Sequence, residues 1–304
     1  MNKNLCLEEY FSLNQRTHVM GIVNVTPDSF SGDGVMGASD FVTGAVRQAV
    51  AFHRAGADIL DVGGESTRPG AVPVETQTEI NRVVPVIEAV VEKLPNAVIS
   101  IDTSKADVAI AALSAGATIL NDVWGLQHDP NIAAVAAAAG CPVILMHNAS
   151  RSDAIFADGV GGKHYGAKAY THLIEDVIRS LKERVAAAVA AGIALDQIII
   201  DPGIGFGKSV IQNLALINHL DQVKELQFPL LVGPSRKSFI GSVLSAEVDD
   251  RLDGTIAAVA IAIVRGANIV RVHDVKSIVR VARMCDAILS SPADGCVKPS
   301  EESA

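Results

Sequence analysis

The stretch AVISIDTSKADVAIAALSAGATILND, residues 97–122, carries the pattern on which the predicted fold rests. It begins and ends with a short apolar run, 97–102 and 118–122, and both runs stop at polar residues. A brief run that is apolar on successive residues is typical of a strand buried on both faces. The longer, alanine-rich segment between the runs is predicted to be a helix. Together they indicate two parallel strands joined by a helix.

The same alternation of strand and helix continues on both sides of this stretch. Short apolar runs with a polar or glycine-rich end are the predicted strands: 18–25, 58–62, 97–102, 118–122, 142–147, 197–201, 230–233 and 268–273. The predicted helices between them include 40–55, 75–94, 170–191 and 253–265. In 170–191, apolar residues recur every fourth position from Leu173 to Val189, which predicts one shared face. This α/β alternation indicates either a closed barrel or a doubly wound sheet.

The polar residues at the ends of the predicted strands distinguish these two folds. They are Asn24, Asp61, Asp102, Asn121, Asp122, His147, Asp201, Ser235, Lys237, Arg271 and His273. In a closed parallel barrel all strand ends converge on one face, which is where such barrels place their chemistry. A doubly wound sheet brings together only the ends beside its switch point. Helix caps explain single Asp or Asn residues but not the Arg, Lys and His, so a single-domain (β/α)₈ TIM barrel is predicted.

Length and composition agree with one large domain. The chain has 304 residues and no Pro/Ser-rich linker, so the predicted barrel spans 17–289, with a polar N-terminal arm at 1–16 and a polar C-terminal tail at 290–304. The formal net charge of −9 argues against broad nucleic-acid binding, because no positive field attracts phosphate backbones. The first seventeen residues contain no apolar core of signal-peptide length, and the sequence shows no membrane-length apolar run and no C-x-x-C pair. A cytoplasmic protein with reduced thiols is therefore predicted.

Two glycine-rich segments resemble nucleotide-binding motifs but do not complete them. Residues 32–37 have the G-x-G-x-x-G spacing, yet several residues separate them from the strand that ends near Asn24. GIGFGKS, residues 203–209, resembles the end of a P-loop, but Pro202 stands where the first glycine is required. Neither dinucleotide binding nor nucleotide hydrolysis is favoured.

Seven longer strings resemble the dihydropteroate synthase family, in order along the chain: GIVNVTPDSFSGDG (21–34), DVGGESTRPGA (61–71), SIDTSK (100–105), NDVWG (121–125), DPGIGFGKS (201–209), SRKSFIG (235–241) and RVHDV (271–275). The resemblance covers nearly all of the chain except the two tails. It implies a TIM barrel, assistance by Mg²⁺ and a homodimer. It also implies a reaction of folate biosynthesis, in which 6-hydroxymethyl-7,8-dihydropterin pyrophosphate and 4-aminobenzoate give 7,8-dihydropteroate and pyrophosphate.

The resemblance also implies which residues bind the pterin. Asp201 matches the carboxylate on the pyrimidine edge, where it accepts hydrogen bonds from an amino group and a ring N–H. The other pterin-binding positions are Asp102, Asn121, Phe206 and Lys237, of which Lys237 donates to the ring oxygen and nitrogen. Met146 is implied to bind substrate. The residues implied to be catalytic are Asp102, Lys237, Arg271 and His273.

The remaining substrate groups are assigned in the same way. Arg271 and His273 match the pair that binds pyrophosphate, and side chains two apart on a strand point to the same face. Asn24 matches the contact to Mg²⁺, an ion that binds through few protein oxygens together with phosphates. The positions implied beside aminobenzoate are Phe30, Thr67, Arg68, Pro69 and Ser238. Sulfonamides imitate aminobenzoate and are expected to bind.

The implied mechanism is departure of pyrophosphate, followed by attack of the arylamine on a pterin methylene cation. Two alternatives remain open from the sequence: a pterin-binding methyltransferase domain and a non-catalytic pterin-binding subunit. The methyltransferase domain lacks a reason to keep STRPG, SRK and RVH, which serve pyrophosphate and arylamine. Against the non-catalytic subunit stand the intact residues Asn24, Arg68, Lys237, Arg271 and His273.

The chain departs from the family pattern in three places. Residues 31–34 read SGDG where the family usually has S-D-G-G, and Pro234 precedes the SRK string. His147 is followed by NASRSD where the family often has M-x-G-T-P. The substrate contacts of the loop after the fifth strand are therefore open.

Overall fold

The structure, a computed structural model, describes residues 7, 16–26, 38–67, 70–150, 155–158 and 162–293. The strands in these ranges are β1 (His18–Asn24), β2 (Ile59–Gly63), β3 (Val98–Asp102), β4 (Ile119–Asp122), β5 (Val143–Met146), β6 (Ile155–Asp158), β7 (Gly162–Tyr165), β8 (Ile198–Asp201), β9 (Leu231–Val232) and β10 (Ile269–Val272). The helices are α1 (Ala38–Arg54), α2 (Thr76–Lys93), α3 (Ala106–Ala115), α4 (Ile132–Ala139), α5 (Leu173–Ala190), α6 (Val210–Asn218), α7 (Leu220–Lys224), α8 (Ser238–Leu244), α9 (Leu252–Val264) and α10 (Val275–Leu289).

Parallel strands close into a barrel. The hydrogen-bonded order is β8-β5-β4-β3-β2-β1-β10-β9, and a parallel bridge between Ile200 and Leu230 joins β8 to β9. Each strand predicted from the sequence is present within two residues of its expected bounds. The predicted single-domain (β/α)₈ TIM barrel is therefore confirmed, and the doubly wound sheet is excluded.

Alternation along the strands divides the core into two parts. Outward side chains pack against the helices, whereas one inward side chain from each barrel strand fills the amino-terminal half of the barrel: Met20, Ile59, Val98, Ile119, Ile144, Ile199, Leu231 and Ile269. Leu7, from the predicted N-terminal arm, belongs to the same inner cluster and is 3% exposed. The apolar layer fills this half of the barrel, so the polar strand ends meet at the opposite, carboxyl end.

Helix α5 corrects the prediction of one shared apolar face. Val177 and Leu181 are fully buried, and the buried stripe continues at Ala188, whereas Val189 is 42% exposed. A spacing of four residues advances about 40° beyond a full turn of an α-helix. After four such steps the predicted stripe has rotated away from the barrel.

A hairpin outside the barrel was not predicted. Strands β6 and β7 pair antiparallel, with Phe156 opposite His164 and Ile155 opposite Tyr165. They lie in the connection between β5 and α5, where the sequence departs from the family pattern. The hairpin places β7 at the carboxyl end of the barrel, beside the polar strand ends.

The limits of the barrel, 17–289, stay a prediction, because most of the arm and tail lies outside the described residues. No helix in the described part of the chain combines the length and the hydropathy that crossing a membrane requires.

Candidate active site

A cavity of about 330 Å³ opens at the carboxyl end of the barrel. It is lined by the ends of β1, β3 and β10, by the loops after β2, β8 and β9, and by strand β7. Eight of the residues that the sequence implied for the site line this cavity: Asn24, Thr67, Asp102, Phe206, Lys237, Ser238, Arg271 and His273. The strand ends thus meet where the barrel prediction placed them.

Three further implied residues lie in the barrel strands and are almost fully buried. Asn121 is 4% exposed, Met146 is 3% exposed and Asp201 is 7% exposed. Asn121 is the register partner of Asp102 on the neighbouring strand, and Met146 is the partner of Asp201. The implied substrate contacts on the strands therefore form two adjacent pairs. The implied residues Phe30, Arg68 and Pro69 lie outside the described residues.

Arg271 joins two carboxylates across the barrel. Its Nε lies 2.6 Å from Asp61 Oδ2, and its Nη2 lies 2.5 Å from Asp102 Oδ2. The amide nitrogen of Asn121 is 3.3 Å from both oxygens of Asp61. Burial opposes the charge of Arg271, but Asp61 and Asp102 outweigh it and raise the pKa of the guanidinium. Asp61 is fully buried, and the sequence showed it only as a strand-end residue.

Asp102 is a carboxylate whose protonation depends on its neighbours. Burial raises the pKa of Asp102, Arg271 works against this shift, and the nearby Asp61 adds to it. Asp102 and Arg271 therefore place a titratable carboxylate beside a permanently charged guanidinium at the cavity wall.

Lys237 lies against the loop that follows β8. Its Nζ donates to the carbonyl of Ile204 and lies 4.1 Å from the centre of the Phe206 ring. Burial lowers the pKa of Lys237 to about 7, although Asp201 opposes the shift. Gly205 has a φ of +83°, and a Cβ there would lie 2.5 Å from Lys237 Cδ. Only glycine fits this close approach without displacing the lysine.

Lys208 also holds the loop that follows β8. The sequence did not predict it as a site residue. Its Nζ lies 2.8 Å from the carbonyl of Gly203, 3.2 Å from that of Phe206 and 3.0 Å from His147 Nδ1. Burial lowers the pKa of Lys208 to about 7, with Asp201 opposing. Burial, with Lys208 adding, lowers the pKa of His147 to about 3. His147 is thus a neutral acceptor that ties the end of β5 to this loop.

The SRK turn contains a strained residue. Arg236 has a φ of +56°, a conformation that costs a non-glycine residue roughly 1–2 kcal/mol. Its N–H donates to Thr255 Oγ1 at 3.0 Å, its guanidinium pairs with Asp274 at 2.9 and 2.7 Å, and its carbonyl accepts from Arg251 at 3.1 Å. These contacts maintain the turn that directs Lys237 into the cavity.

Lys105 fixes the loop after β2. Its Nζ contacts the carboxylate of Glu65 and lies 2.6 Å from both Glu79 Oε2 and the carbonyl of Val74. Glu65 and Val74 stand on either side of the STRPG string, so Lys105 joins the two flanks of the loop that carries Thr67.

His273 is oriented by a serine of the SRK turn. Its Nδ1 lies 3.0 Å from Ser235 Oγ, and its backbone N–H donates to the same oxygen at 3.2 Å. Ser235 is 5% exposed. The imidazole is therefore held beside Arg271 at the cavity wall.

The carboxyl end of the barrel combines buried carboxylates and an amide with a cationic wall and an aromatic ring. Carboxylates accept hydrogen bonds from the N–H groups of a polar ring. Arg271, Lys237 and His273 can bind an anionic substituent on that ring. Fold and site together define a barrel enzyme for a polar, planar ligand that carries an anionic group.

Comparison with known proteins identifies the family of this barrel protein. Residues 20–273 match the pterin binding enzyme family. The dihydropteroate synthase of Bacillus subtilis is 46% identical over 279 residues, which cover 92% of this chain and 91% of that protein. The Xanthomonas albilineans dihydropteroate synthase has been solved with 4-aminobenzoic acid, with 41% identity, a TM-score of 0.82 and coverage of 91% of this chain and 94% of that one. The same enzyme with 7,8-dihydropteroate gives 39% identity, a TM-score of 0.79 and coverage of 91% and 95%.

The chain belongs to the pterin-binding enzymes and, among them, to the dihydropteroate synthase family.

Proposed function

We infer that the cavity at the carboxyl end of the barrel is the active site of a folate-synthesis transferase. As a dihydropteroate synthase, the chain joins 6-hydroxymethyl-7,8-dihydropterin pyrophosphate to 4-aminobenzoate and gives 7,8-dihydropteroate and pyrophosphate. The observation that carries the location is that eight residues implied by the sequence line one cavity. The roles of individual residues, the metal and the order of steps are our proposals.

Asp201 is proposed to bind the pyrimidine edge of the pterin. Its Oδ1 accepts from the backbone N–H of Gly203 at 2.7 Å, which orients the carboxylate. Burial raises the pKa of this carboxyl against the opposing effects of Gly203 and Lys237. A buried carboxylate lacks the hydrogen bonds that water donates to an exposed one. A ligand that presents an amino group and a ring N–H supplies hydrogen bonds in their place. Asn121, Met146, Phe206 and Lys237 complete the proposed pterin pocket.

Arg271 and His273 are proposed to bind the pyrophosphate. Mg²⁺ fits the residues present, because Asn24 lines the same cavity and its amide oxygen would be one protein ligand for an ion that otherwise takes phosphate oxygens and water. Among the described residues, no three His, Cys, Asp or Glu side chains form a group able to hold a metal ion. The metal is proposed to bind together with the substrate, because Mg²⁺ commonly binds through one or two protein oxygens and the phosphates of a substrate. When bound, Mg²⁺ supplies positive charge that offsets the charge of the departing pyrophosphate.

Pyrophosphate is proposed to depart before the amine attacks. Arg271 and His273 stabilise the leaving group, and the carboxylate of Asp102 stabilises the positive charge that spreads into the pterin ring. The amine of aminobenzoate then forms a bond to the exocyclic methylene carbon and loses a proton. The enzyme contributes position and charge, without a covalent enzyme intermediate.

The order of steps is tested by leaving out aminobenzoate. The proposal expects release of pyrophosphate from the pterin substrate and Mg²⁺ alone, detected as a single-turnover product. Strict dependence of pyrophosphate release on the amine would contradict a cationic intermediate.

The aminobenzoate is proposed to bind at the mouth of the cavity. Thr67 and Ser238 line the cavity, whereas Phe30, Arg68 and Pro69 stay predictions. Sulfonamides are expected to compete for the same place, because they imitate aminobenzoate.

A homodimer is proposed through an apolar surface formed by α6, α8 and α9. Its exposed side chains are Ile211, Leu214, Val243, Leu244, Ile261 and Val264. Exposed apolar surface of this extent on neighbouring helices is characteristic of an interface. The cytoplasmic location stays a prediction; the buried, free Cys141 is compatible with it.

Mixing the chain with the pterin pyrophosphate, 4-aminobenzoate and Mg²⁺ tests the function directly. Dihydropteroate and pyrophosphate are expected in equal amounts. Tight pterin binding without product would support the non-catalytic subunit, and methyl transfer from methyltetrahydrofolate in place of this reaction would support the methyltransferase domain.

A further inference from the structure

The hairpin after β5 brings a tyrosine to the cavity. Tyr165, the last residue of β7, stacks on Phe206 with ring centres 6.3 Å apart and planes inclined by 24°. Its hydroxyl donates to the carbonyl of Thr67 at 3.1 Å. One side chain therefore connects the loop after β2 with the loop after β8.

We propose that Tyr165 is a positioning residue for the aromatic amine substrate. It holds Thr67 and the Phe206 ring at a fixed separation and so forms the outer wall of the cavity. This inference rests on the proposed function, which places aminobenzoate beside Thr67.

The geometry separates this wall from the pterin floor. Asp102, Asn121 and Asp201 belong to barrel strands, where the parallel hydrogen-bonded register fixes their backbones. Thr67 lies in a loop, and its carbonyl is held by the Tyr165 hydroxyl. Loss of that hydroxyl leaves the strand residues in place and removes this bond to Thr67, while Lys105 still joins the two flanks of the loop.

Packing keeps Tyr165 in position, and burial keeps its hydroxyl protonated. Strand β7 packs against α8, the helix that begins at Ser238, a residue that also lines the cavity. Burial, with Glu65 adding, raises the pKa of Tyr165. The phenol therefore remains a hydrogen-bond donor at neutral pH.

The Phe206 ring does not depend on the tyrosine hydroxyl. Lys237 Nζ lies 4.1 Å from the centre of the Phe206 ring, so a cation–π contact supports the ring independently of Tyr165. Tyr165→Phe keeps the stacked ring and removes only the bond to Thr67. Tyr165→Ala removes both.

Tyr170 offers a matched control in the same connection. Its ring centre lies 6.2 Å from that of His147, and its hydroxyl is buried without a hydrogen-bond partner among the described residues. Tyr170→Phe therefore makes the same chemical change without removing a contact at the cavity.

The test measures kcat, KM for aminobenzoate and the calorimetric Kd of the pterin pyrophosphate for the wild type and these variants. Tyr165→Phe is expected to raise KM for aminobenzoate by about 2- to 12-fold, the change that loss of one hydrogen bond produces. Its pterin Kd is expected to stay within about twofold of the wild type. Tyr165→Ala is expected to raise KM further, and Tyr170→Phe to change neither constant.

An unchanged KM in Tyr165→Phe overturns the inference. Equal weakening of pterin and aminobenzoate overturns it as well, since that result indicates a general structural role. If the wild type forms no dihydropteroate, the proposed function fails, and this inference fails with it.

Discussion

Asp61 organises the site from inside the barrel, although the sequence implied no role for it beyond a polar strand end. It pairs with Arg271 at 2.6 Å and lies 3.3 Å from the amide nitrogen of Asn121. Arg271 in turn contacts Asp102 at 2.5 Å. Removing one partner of a buried ion pair leaves the other without compensation. Asp61 therefore orients three residues that are proposed to contact substrate.

Asp61→Asn is expected to lower kcat by about tenfold or more, which corresponds to roughly 1.4 kcal/mol of lost transition-state stabilisation. It should also lower the free energy of unfolding by about 1–3 kcal/mol, because a charge-assisted bond is lost. Steady-state kinetics and denaturant unfolding measure the two effects. The exposed Asp250→Asn is the control, and equal kinetics for both variants would contradict the role of Asp61.

His147 makes the stability of the fold depend on pH. Its pKa is lowered from 6.5 to about 3, so between these values the unfolded chain binds a proton that the folded chain does not. The stabilising contribution is complete above pH 6.5 and is lost as the pH falls, by up to about 1.4 kcal/mol per pH unit. His147→Gln removes this titration. The loss of unfolding free energy between pH 6.5 and 5 should then be smaller by about 1.5 kcal/mol than in the wild type.

Chemical denaturation at several pH values measures this difference. The same pH dependence in His147→Gln would show that His147 is protonated in the fold.

Much of the site was predictable because the apolar run of each barrel strand is followed by polar or charged residues that stand out in the sequence. The contacts of Asp61, Lys208 and Tyr165 were not predictable. The bonds of Asp61 to Arg271, of Lys208 to His147 and of Tyr165 to Thr67 join residues that are 61 to 210 positions apart, so only closure of the barrel and folding of the hairpin bring them together. The roles of the strand-end residues came from family resemblance, whereas their convergence came from the barrel.

At the scale of single elements, the strands were predicted best. A strand buried on both faces is apolar throughout and stops where the cavity begins, so both ends are marked in the sequence. The hairpin of β6 and β7 has no such mark, because it is half exposed and its sequence IFADGVGGKHY is glycine-rich. Strand β7 also packs against α8, a long-range contact that periodicity does not show.

The loop after β8 depends on a glycine for two separable reasons. Gly205→Ala introduces a side chain at a φ of +83° and 2.5 Å from Lys237 Cδ. Gly140→Ala is the matched control, because Gly140 has a φ of +59° and nothing within 4 Å of an added Cβ. Both variants should lose about 1 kcal/mol of stability from the backbone conformation. Gly205→Ala alone should weaken pterin binding, because Lys237 must move.

Thermal unfolding and calorimetry with the pterin pyrophosphate separate these effects. Equal pterin affinity in the two variants would show that Lys237 does not bind the pterin.

At the scale of the whole molecule, the apolar layer inside the barrel and the polar ring at its carboxyl end define where chemistry can occur. The helices outside the barrel add the proposed dimer surface.

Ile261→Glu places a charge in this surface, at a residue that is 48% exposed. Ile110→Glu is the control, since Ile110 is 49% exposed on α3, outside the proposed interface.

Light scattering after size exclusion should show a dimer for the wild type and for Ile110→Glu, and a monomer for Ile261→Glu, because a buried unpaired charge opposes association. A wild-type monomer at micromolar concentration would contradict the homodimer. A dimeric Ile261→Glu would show that the interface lies elsewhere.

The most direct test of the central claim is the calorimetric affinity of the pterin pyrophosphate for Asp201→Asn, compared with the wild type and with the exposed Asp196→Asn. The side-chain amide that this substitution introduces cannot accept both ring donors, so one buried N–H stays unpaired and affinity should fall by about 10- to 100-fold. Asp196→Asn should bind as the wild type does. Unchanged affinity in Asp201→Asn would contradict the placement of the pterin in this cavity.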